Sequence, residues 1–261
     1  MPRYFLEVSY LGTRYSGFQV QRNAHTIQAE IEKALEILLK ERIVLTGSSR
    51  TDSGVHARQN YFHFDTDREF KISGNHPSDY LMVYNMNAIL PGDIAVKRLV
   101  RMPDEAHCRF DAESREYCYY IYRQKNPFLE GRAFYFPYTL ELEKMQQGAA
   151  VLKEYSDFTS FSKRNTQVKT FDCRIELSKW VVQEDRLYYN VKASRFLRGM
   201  VRGLTATMLK LGRGKISLEE FRMIIESKDC TKASFATPAQ GLFLMAVNYP
   251  EGYFPDKPGP K

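Results

Sequence analysis

The stretch Ile43-Val44-Leu45-Thr46-Gly47-Ser48-Ser49-Arg50-Thr51-Asp52-Ser53-Gly54-Val55-His56-Ala57 sets a polar loop, centred on Asp52, between two apolar runs. Residues 43–45 lead in and the β-favouring residues 61–64 lead out. That pattern places the loop at a sheet edge or in a cleft, where a carboxylate can react. A plain turn explains the same letters, because Asp and Ser bond their own backbone and Gly54 supplies a positive φ. The loop alone leaves both open, and the rest of the chain has to decide.

Outward from the loop, residues 4–10 alternate as a strand, and Thr26 caps a helix whose Ile27, Ile31, Ala34, Leu35 and Leu38 form one apolar stripe. Strands are expected near 42–46 and 59–64. A polar stretch, 65–78, follows, then a short helix over 80–89, a break at Leu90-Pro91-Gly92-Asp93 and a strand over 94–100. The order is β-α-β-β-α-β over residues 1–102. Residues 103–250 repeat it, with a strand over 115–123 and a helix over 142–152 with Leu142, Met145, Ala149 and Leu152 inward. A hairpin of 171–183 and 186–194 turns at Glu184-Asp185; helices over 196–212 and 217–226 and a strand over 242–249 complete the half. The fold class is therefore α+β: two tandem ferredoxin-like or RRM-like βαββαβ subdomains, sheets side by side, with a cleft between them. Residues 164–167 and 65–78 read as binding or mobile loops, and 251–261 as an unpacked tail.

Composition narrows the partners. The 261 residues are 43% hydrophobic, enough for a packed core, and carry a formal charge of +7 with a pI near 9.1. Excess positive charge favours a polyanionic partner, and 17 Tyr with 17 Phe suit unpaired nucleic acid, whose bases stack on rings. Cys108, Cys118, Cys173 and Cys230 are scattered, with no C-x-x-C pair and no secretory leader, so reduced thiols in a cytoplasm are expected. No apolar run approaches a membrane span. The histidines at 25, 56, 63, 76 and 107 show no metal-ligand spacing, and no metal or cofactor is expected.

Five segments together carry a more specific signal. They are Tyr10-Leu11-Gly12-Thr13-Arg14-Tyr15-Ser16-Gly17-Phe18-Gln19, the loop Arg50-Thr51-Asp52-Ser53-Gly54-Val55-His56-Ala57, Arg115-Glu116-Tyr117-Cys118-Tyr119, Phe196-Leu197-Arg198-Gly199-Met200-Val201-Arg202 and Gly241-Leu242-Phe243-Leu244. With Arg109-Phe110, Asp157-Phe158-Thr159-Ser160-Phe161 and Val247-Asn248-Tyr249-Pro250, they resemble, in order, the TruA family of tRNA pseudouridine synthases. The resemblance implies the pseudouridine synthase fold: two α+β halves sharing a continuous, mainly antiparallel sheet with a central active-site cleft. It implies isomerisation of uridine to pseudouridine in the tRNA anticodon arm, at positions 38 to 40, by a cofactor-free homodimer.

The same resemblance assigns roles. Asp52 matches the catalytic aspartate, acting either as a nucleophile or as a base that removes a ribose proton. Arg202 matches the arginine that pairs with it and holds it ionised. Tyr117 matches the tyrosine that stacks on the extruded base and is a candidate for proton transfer, with Tyr119 in the same frame. Arg50 matches the arginine that displaces the nucleotide and holds its phosphate. Leu244 lines the base pocket; Thr51 and His56 either touch substrate or bond the loop backbone. Arg14, Arg58, Arg68, Lys71, Lys163, Arg164, Lys169, Arg195 and Arg198 are candidates to track RNA phosphates. Ser49 stands where the family has glycine, and a positive φ there would strain a serine by roughly 1 to 2 kcal/mol. Phe18 stands where tryptophan is common. A noncatalytic RNA-binding or RNA-chaperone protein with tandem RRM-like units, a synthase with a shifted RNA target, and a hydrolase using Asp52 with His56 are the competing readings.

Overall fold

The computed structural model describes residues 1–68, 77–164, 168–183 and 186–255. Its chain divides into two compact units, one made of Met1–Glu113 with Ala246–Lys261, the other of Ser114–Met245.

In the first unit, β1 (Arg3–Tyr10) is flanked by antiparallel β3 (His56–Asp65) and β4 (Ile94–Met102). The two-residue β2 (Thr46–Gly47) adds to β3. Helix α1 (Ile27–Leu39) starts where the Thr26 hydroxyl accepts the Ala29 N–H and ends at left-handed Lys40. Its buried stripe is Ile27, Ile31, Ala34, Leu35 and Leu39, so Leu39, not Leu38, completes the face. Helix α2 (Pro77–Ile89) packs on β4, where the Asn87 amide brackets Val96 by accepting from its N–H and donating to its carbonyl, each at 2.8 Å.

The strand expected near 42–46 shrinks to β2, and residues 42–45 stay outside it. The Leu45 N–H is taken by the Glu32 carboxylate at 2.9 Å and its carbonyl by the Gln28 amide at 2.9 Å, both from α1. With its ladder bonds satisfied by side chains the segment stays irregular, while Ile43 and Leu45 remain buried. The tail also departs from expectation over its described part. The Tyr253 and Phe254 rings pack with Phe5 and Tyr249, the Tyr253 hydroxyl donates to Asp111 at 2.6 Å, and the Arg98 guanidinium sits over Phe254. Aromatic burial offsets the cost of ordering a proline-rich end. Residues 256–261 lie outside the described residues.

In the second unit, β5 (Ser114–Tyr122) pairs antiparallel with β8 (Arg186–Ala193), β8 with β7 (Ile175–Gln183), and the short β6 (Phe134–Tyr135) lies parallel to β5. Helices α3 (Leu142–Val151), α4 (Met200–Gly212) and α5 (Leu218–Glu226) pack on one another. Two glycines let α3 and α4 approach: a Cβ at Gly148 would lie 2.7 Å from Leu211, and one at Gly212 2.5 Å from the Met145 sulfur. Strand β9 (Leu242–Asn248) runs from the second unit into the first. The α+β class and the antiparallel pairing are as expected. The turn at Glu184-Asp185, the loop residues 69–76 and 165–167, and with them Lys71, lie outside the described residues.

Candidate active site

The Asp52 loop is both a turn and something more. The Val55 N–H donates to the Asp52 carbonyl at 3.1 Å and Gly54 sits at φ 78°, closing a four-residue turn. A second segment then fastens the loop from outside. The Phe18 N–H donates to the Thr51 carbonyl at 3.1 Å, the Ser53 hydroxyl to the Tyr15 carbonyl at 3.1 Å, and the Gly12 N–H to His56 Nδ1 at 3.0 Å. Gly12 approaches so closely that a Cβ there would fall 2.0 Å from the Val55 carbonyl oxygen. This is why the two glycine-bearing segments, 10–19 and 50–57, occur together.

Beneath the loop lies a buried polar network that the sequence did not point out. Its hub is Asn60, fully buried on β3. The Asn60 carbonyl accepts from the Ser48 hydroxyl at 3.0 Å, and its amide donates to the Ser49 carbonyl at 3.0 Å and to the Tyr10 hydroxyl at 3.2 Å. Tyr10 is 2.8 Å from the Thr51 hydroxyl, and burial pushes its phenol up to about 12, so it stays neutral at physiological pH. The available signal was a polar residue set within a β-favouring run. Non-glycine residues with positive φ, among those described, are Asn23, Lys40 and Lys228. Ser49 therefore carries no left-handed strain, and its carbonyl is what Asn60 holds. The Phe18 ring is buried against Gly47 and Phe62.

The arrangement spends its hydrogen bonds on the loop's backbone. Asp52 is half-buried, Arg50 is exposed, and no described residue of the first unit bonds either charged group. Both are thus aimed but uncommitted. Thr51 and His56 are buried and engaged, Thr51 with the Tyr10 hydroxyl and His56 with the Gly12 N–H, so both hold the loop.

In the second unit Arg202, half-buried on the first turn of α4, donates from Nε and Nη2 to the Thr237 carbonyl at 2.9 and 2.6 Å. The Thr237 hydroxyl answers by donating to the Arg202 carbonyl at 2.9 Å. Tyr119 is buried, donates to the Pro238 carbonyl at 2.6 Å and lies against Gly241, where a Cβ would come 2.6 Å from its ring. Burial raises its pKa. Tyr119 is thus packed against the 237–241 segment, its hydroxyl committed to the Pro238 carbonyl. Tyr117, two residues earlier on β5, is half-buried with the Phe196 ring edge-on at 5.0 Å. Leu244 is fully buried in β9, as a core leucine would be.

Of the basic candidates, Arg14 is tied to Asp93 at 3.1 Å, while Arg58, Arg68, Arg164, Lys169 and Arg198 are exposed. Lys163 and Arg198 are brought together: the Lys163 N–H donates to the Arg198 carbonyl at 3.0 Å, and the Lys163 stem lies on Gly199, which starts α4 at φ 77°. Arg195 reaches the Thr170 hydroxyl at 3.4 Å.

One cluster among the described residues, His63, His107 and Cys108, brings potential metal-ligand atoms within 4.8 Å of one another. Its hydrogen bonds argue for packing. His63 Nδ1 accepts the Cys108 N–H at 3.3 Å and His107 Nδ1 the Arg109 N–H at 3.1 Å, so each neutral ring carries its proton on Nε2 and offers no second lone pair. The Cys108 thiol donates to the Thr46 carbonyl.

Residues 7–111 and 155–250 match the family model described as tRNA pseudouridine synthase. The chain belongs to that family. It is 41% identical over 256 residues to tRNA pseudouridine synthase A of Parabacteroides distasonis, covering 98% of this chain and 99% of the relative. The Porphyromonas gingivalis protein of the same name is 40% identical over 97% of this chain and all of its own. The one from Staphylococcus aureus is 36% identical over 94% of this chain and 91% of its own. Membership makes the chain an isomerase. The matched spans contain the Asp52 loop, Arg202 and Leu244, whereas Tyr117 and Tyr119 fall between them, within the region the full-length relatives cover. No helix among the described residues is long and apolar enough to cross a membrane.

Proposed function

We propose that this chain converts uridine to pseudouridine in tRNA, at one or more of positions 38, 39 and 40 of the anticodon arm, with Asp52 as the reacting carboxylate. The observation that carries the proposal is a loop whose backbone is held from two sides while Asp52 and Arg50 have no partner among the described residues of their own unit. Such a loop delivers a carboxylate to an incoming group without reorganising. Asp52 attacks the nucleotide or removes a ribose proton, and either role needs the ionised form. Arg50 takes the phosphate of the displaced nucleotide, which offsets the few kcal/mol that unstacking a base costs. Arg202 is the arginine that the resemblance assigns to this carboxylate, and Tyr117 offers its ring to the uracil and its hydroxyl to the later proton transfer. The net reaction breaks the bond from ribose to N1 of uracil and forms one to C5, with no redox change. The active species is a homodimer on tRNA, binding through the exposed arginines and lysines.

The deciding experiment maps pseudouridine in unmodified tRNA treated with wild-type and Asp52→Ala protein. Product at 38–40 with the wild type alone is expected. Product from the variant overturns the role of Asp52; product only at other sites overturns the target; and free uracil would revive a hydrolase. A solution mass of one chain would refute the dimer.

A further inference from the structure

Leu90-Pro91-Gly92-Asp93 breaks the chain ahead of β4, and the proposed reaction makes no use of it. Asp93 nevertheless lies against the segment that fastens the Asp52 loop. Its carbonyl accepts the Leu11 N–H at 2.9 Å, and its Oδ1 accepts the Tyr15 hydroxyl at 2.6 Å. Behind it the Ile94 N–H donates to the Pro91 carbonyl at 2.9 Å, and Ile94 pairs with Tyr10 across β4 and β1. Asp93 is thus presented from the sheet and not from a loose end. The Tyr15 ring is 2% exposed; burial first, then the facing carboxylate, raises its pKa, so the phenol keeps its proton and donates. An O–H bond of this length to a carboxylate belongs to the stronger hydrogen bonds. The other partner of the carboxylate, Arg14 at 3.1 Å from Oδ2, is exposed, where an ion pair contributes little.

From Tyr15 the connection reaches both neighbours of Asp52. The Tyr15 carbonyl accepts the Ser53 hydroxyl at 3.1 Å, and three residues on the Phe18 N–H donates to the Thr51 carbonyl at 3.1 Å. Between them Gly17 sits at φ 93°, and a Cβ there would come 3.0 Å from the Thr51 carbonyl oxygen. Residues 15–18 therefore grip Asp52 on either side, and the end that holds Ser53 is pinned through its side chain by Asp93.

We infer that Asp93 is a positioning residue for Asp52, acting through the Tyr15 hydroxyl. Its carboxylate is spent on Tyr15 and Arg14, so it reaches Asp52 only through the backbone that Tyr15 holds. Its effect on rate rests on the proposed role of Asp52, whereas its hold on the loop does not. A misplacement of about 1 Å can cost on the order of a hundredfold in rate, so a smaller loosening of the loop acts on kcat and leaves tRNA affinity in place.

The test compares three variants of the full-length protein. Tyr15→Phe removes one oxygen and keeps the buried ring, Asp93→Ala removes the acceptor, and Asp93→Asn keeps an acceptor oxygen while losing the charge. Steady-state pseudouridine formation on unmodified tRNA is measured alongside amide exchange over residues 50–57. Tyr15→Phe and Asp93→Ala are expected to lower kcat roughly tenfold with KM within about twofold, and to speed exchange over 50–57. Asp93→Asn should recover most of the rate. Combining Tyr15→Phe with Ser53→Ala should cost no more than the larger single loss, because both break one path, whereas independent structural damage would multiply. Wild-type kcat and wild-type loop exchange in Tyr15→Phe overturn the inference. So do a KM rise at constant kcat, an Asp93→Asn variant as slow as Asp93→Ala, and multiplying losses in the double variant. If the wild type makes no pseudouridine, the proposed function fails and exchange alone decides: faster exchange over 50–57 in Tyr15→Phe upholds the positioning, and unchanged exchange overturns it.

Discussion

The loop at Asp52 and the turn at Arg202 solve opposite problems. Around Asp52 the bonds go to main chain: Thr51 carbonyl, Ser49 carbonyl and Asp52 carbonyl are all taken, and the carboxylate is left over. Around Arg202 the candidate side chain is itself bound, with two of its donors on the Thr237 carbonyl. A short side chain such as Asp is aimed by fixing its backbone, because few torsions separate the two. A long one such as Arg must be fixed near its head, because immobilising it costs up to about 2 kcal/mol of rotamer freedom.

The sharpest test of this contrast is Asp52→Asn. Because no bond described in the loop uses the carboxylate, the variant is expected to fold with an unchanged melting temperature. Pseudouridine formation should fall by more than about four orders of magnitude. A marked loss of stability would mean that the carboxylate is part of the scaffold, and the comparison would collapse. Next in size is Asn60→Ala, which leaves the Ser49 carbonyl and the Ser48 and Tyr10 hydroxyls short of a partner. A cost of about 2 to 3 kcal/mol is expected in chemical unfolding. Loosening the loop should also lower kcat by roughly ten- to a hundredfold, with little change in KM for tRNA. Equal kcat would show that the network serves stability alone. Arg202→Lys comes third: an ammonium cannot converge on the Thr237 carbonyl as Nε and Nη2 do, so kcat should drop by about tenfold while the charge is retained. Wild-type kcat in this variant would mean that charge, not anchoring, is what the reaction uses.

Most of the architecture could be read beforehand, since the strands and the amphipathic helices follow periodicity. What failed was anything decided by partners far along the chain. Residues 43–45 have strand-like letters, but Gln28 and Glu32 on α1 take the Leu45 backbone groups first. Tyr117 and Tyr119 are indistinguishable in Arg115-Glu116-Tyr117-Cys118-Tyr119, and only Gly241 under one ring and the Pro238 carbonyl at its hydroxyl tell them apart. Asn60 looked like one more polar residue in an alternating strand; besides the neighbouring Tyr61 N–H, its side chain finds its partners in residues 10, 48 and 49. The Asp52 loop was legible as a candidate site, whereas the frame holding it was not, because hydrogen-bond partners are set by the fold and leave no local mark.

A gentler perturbation separates the two units by acidity. All five histidines of the chain lie in Met1–Glu113, and the single tryptophan, Trp180, lies in the other unit. His63 is buried near the Arg3 guanidinium, and burial first, then that charge, lowers its pKa to about 4; His107 moves in the same direction. An unfolded histidine takes up a proton near pH 6.5, whereas the folded His63 does not until about pH 4. Between those values the unfolded state binds more protons, so stability rises with pH and is lost as the pH falls through the window. Lowering the pH from 7 to 5 should therefore speed amide exchange in peptides from 1–113, after correction for intrinsic rates. Peptides from 114–245, and the Trp180 emission, should change less. His63→Gln keeps an acceptor for the Cys108 N–H and removes the titration, so it should recover a few degrees of the melting temperature lost at pH 5. Equal acid sensitivity of both units, or none in either, would show that the buried imidazole does not set the first unit's response to acid.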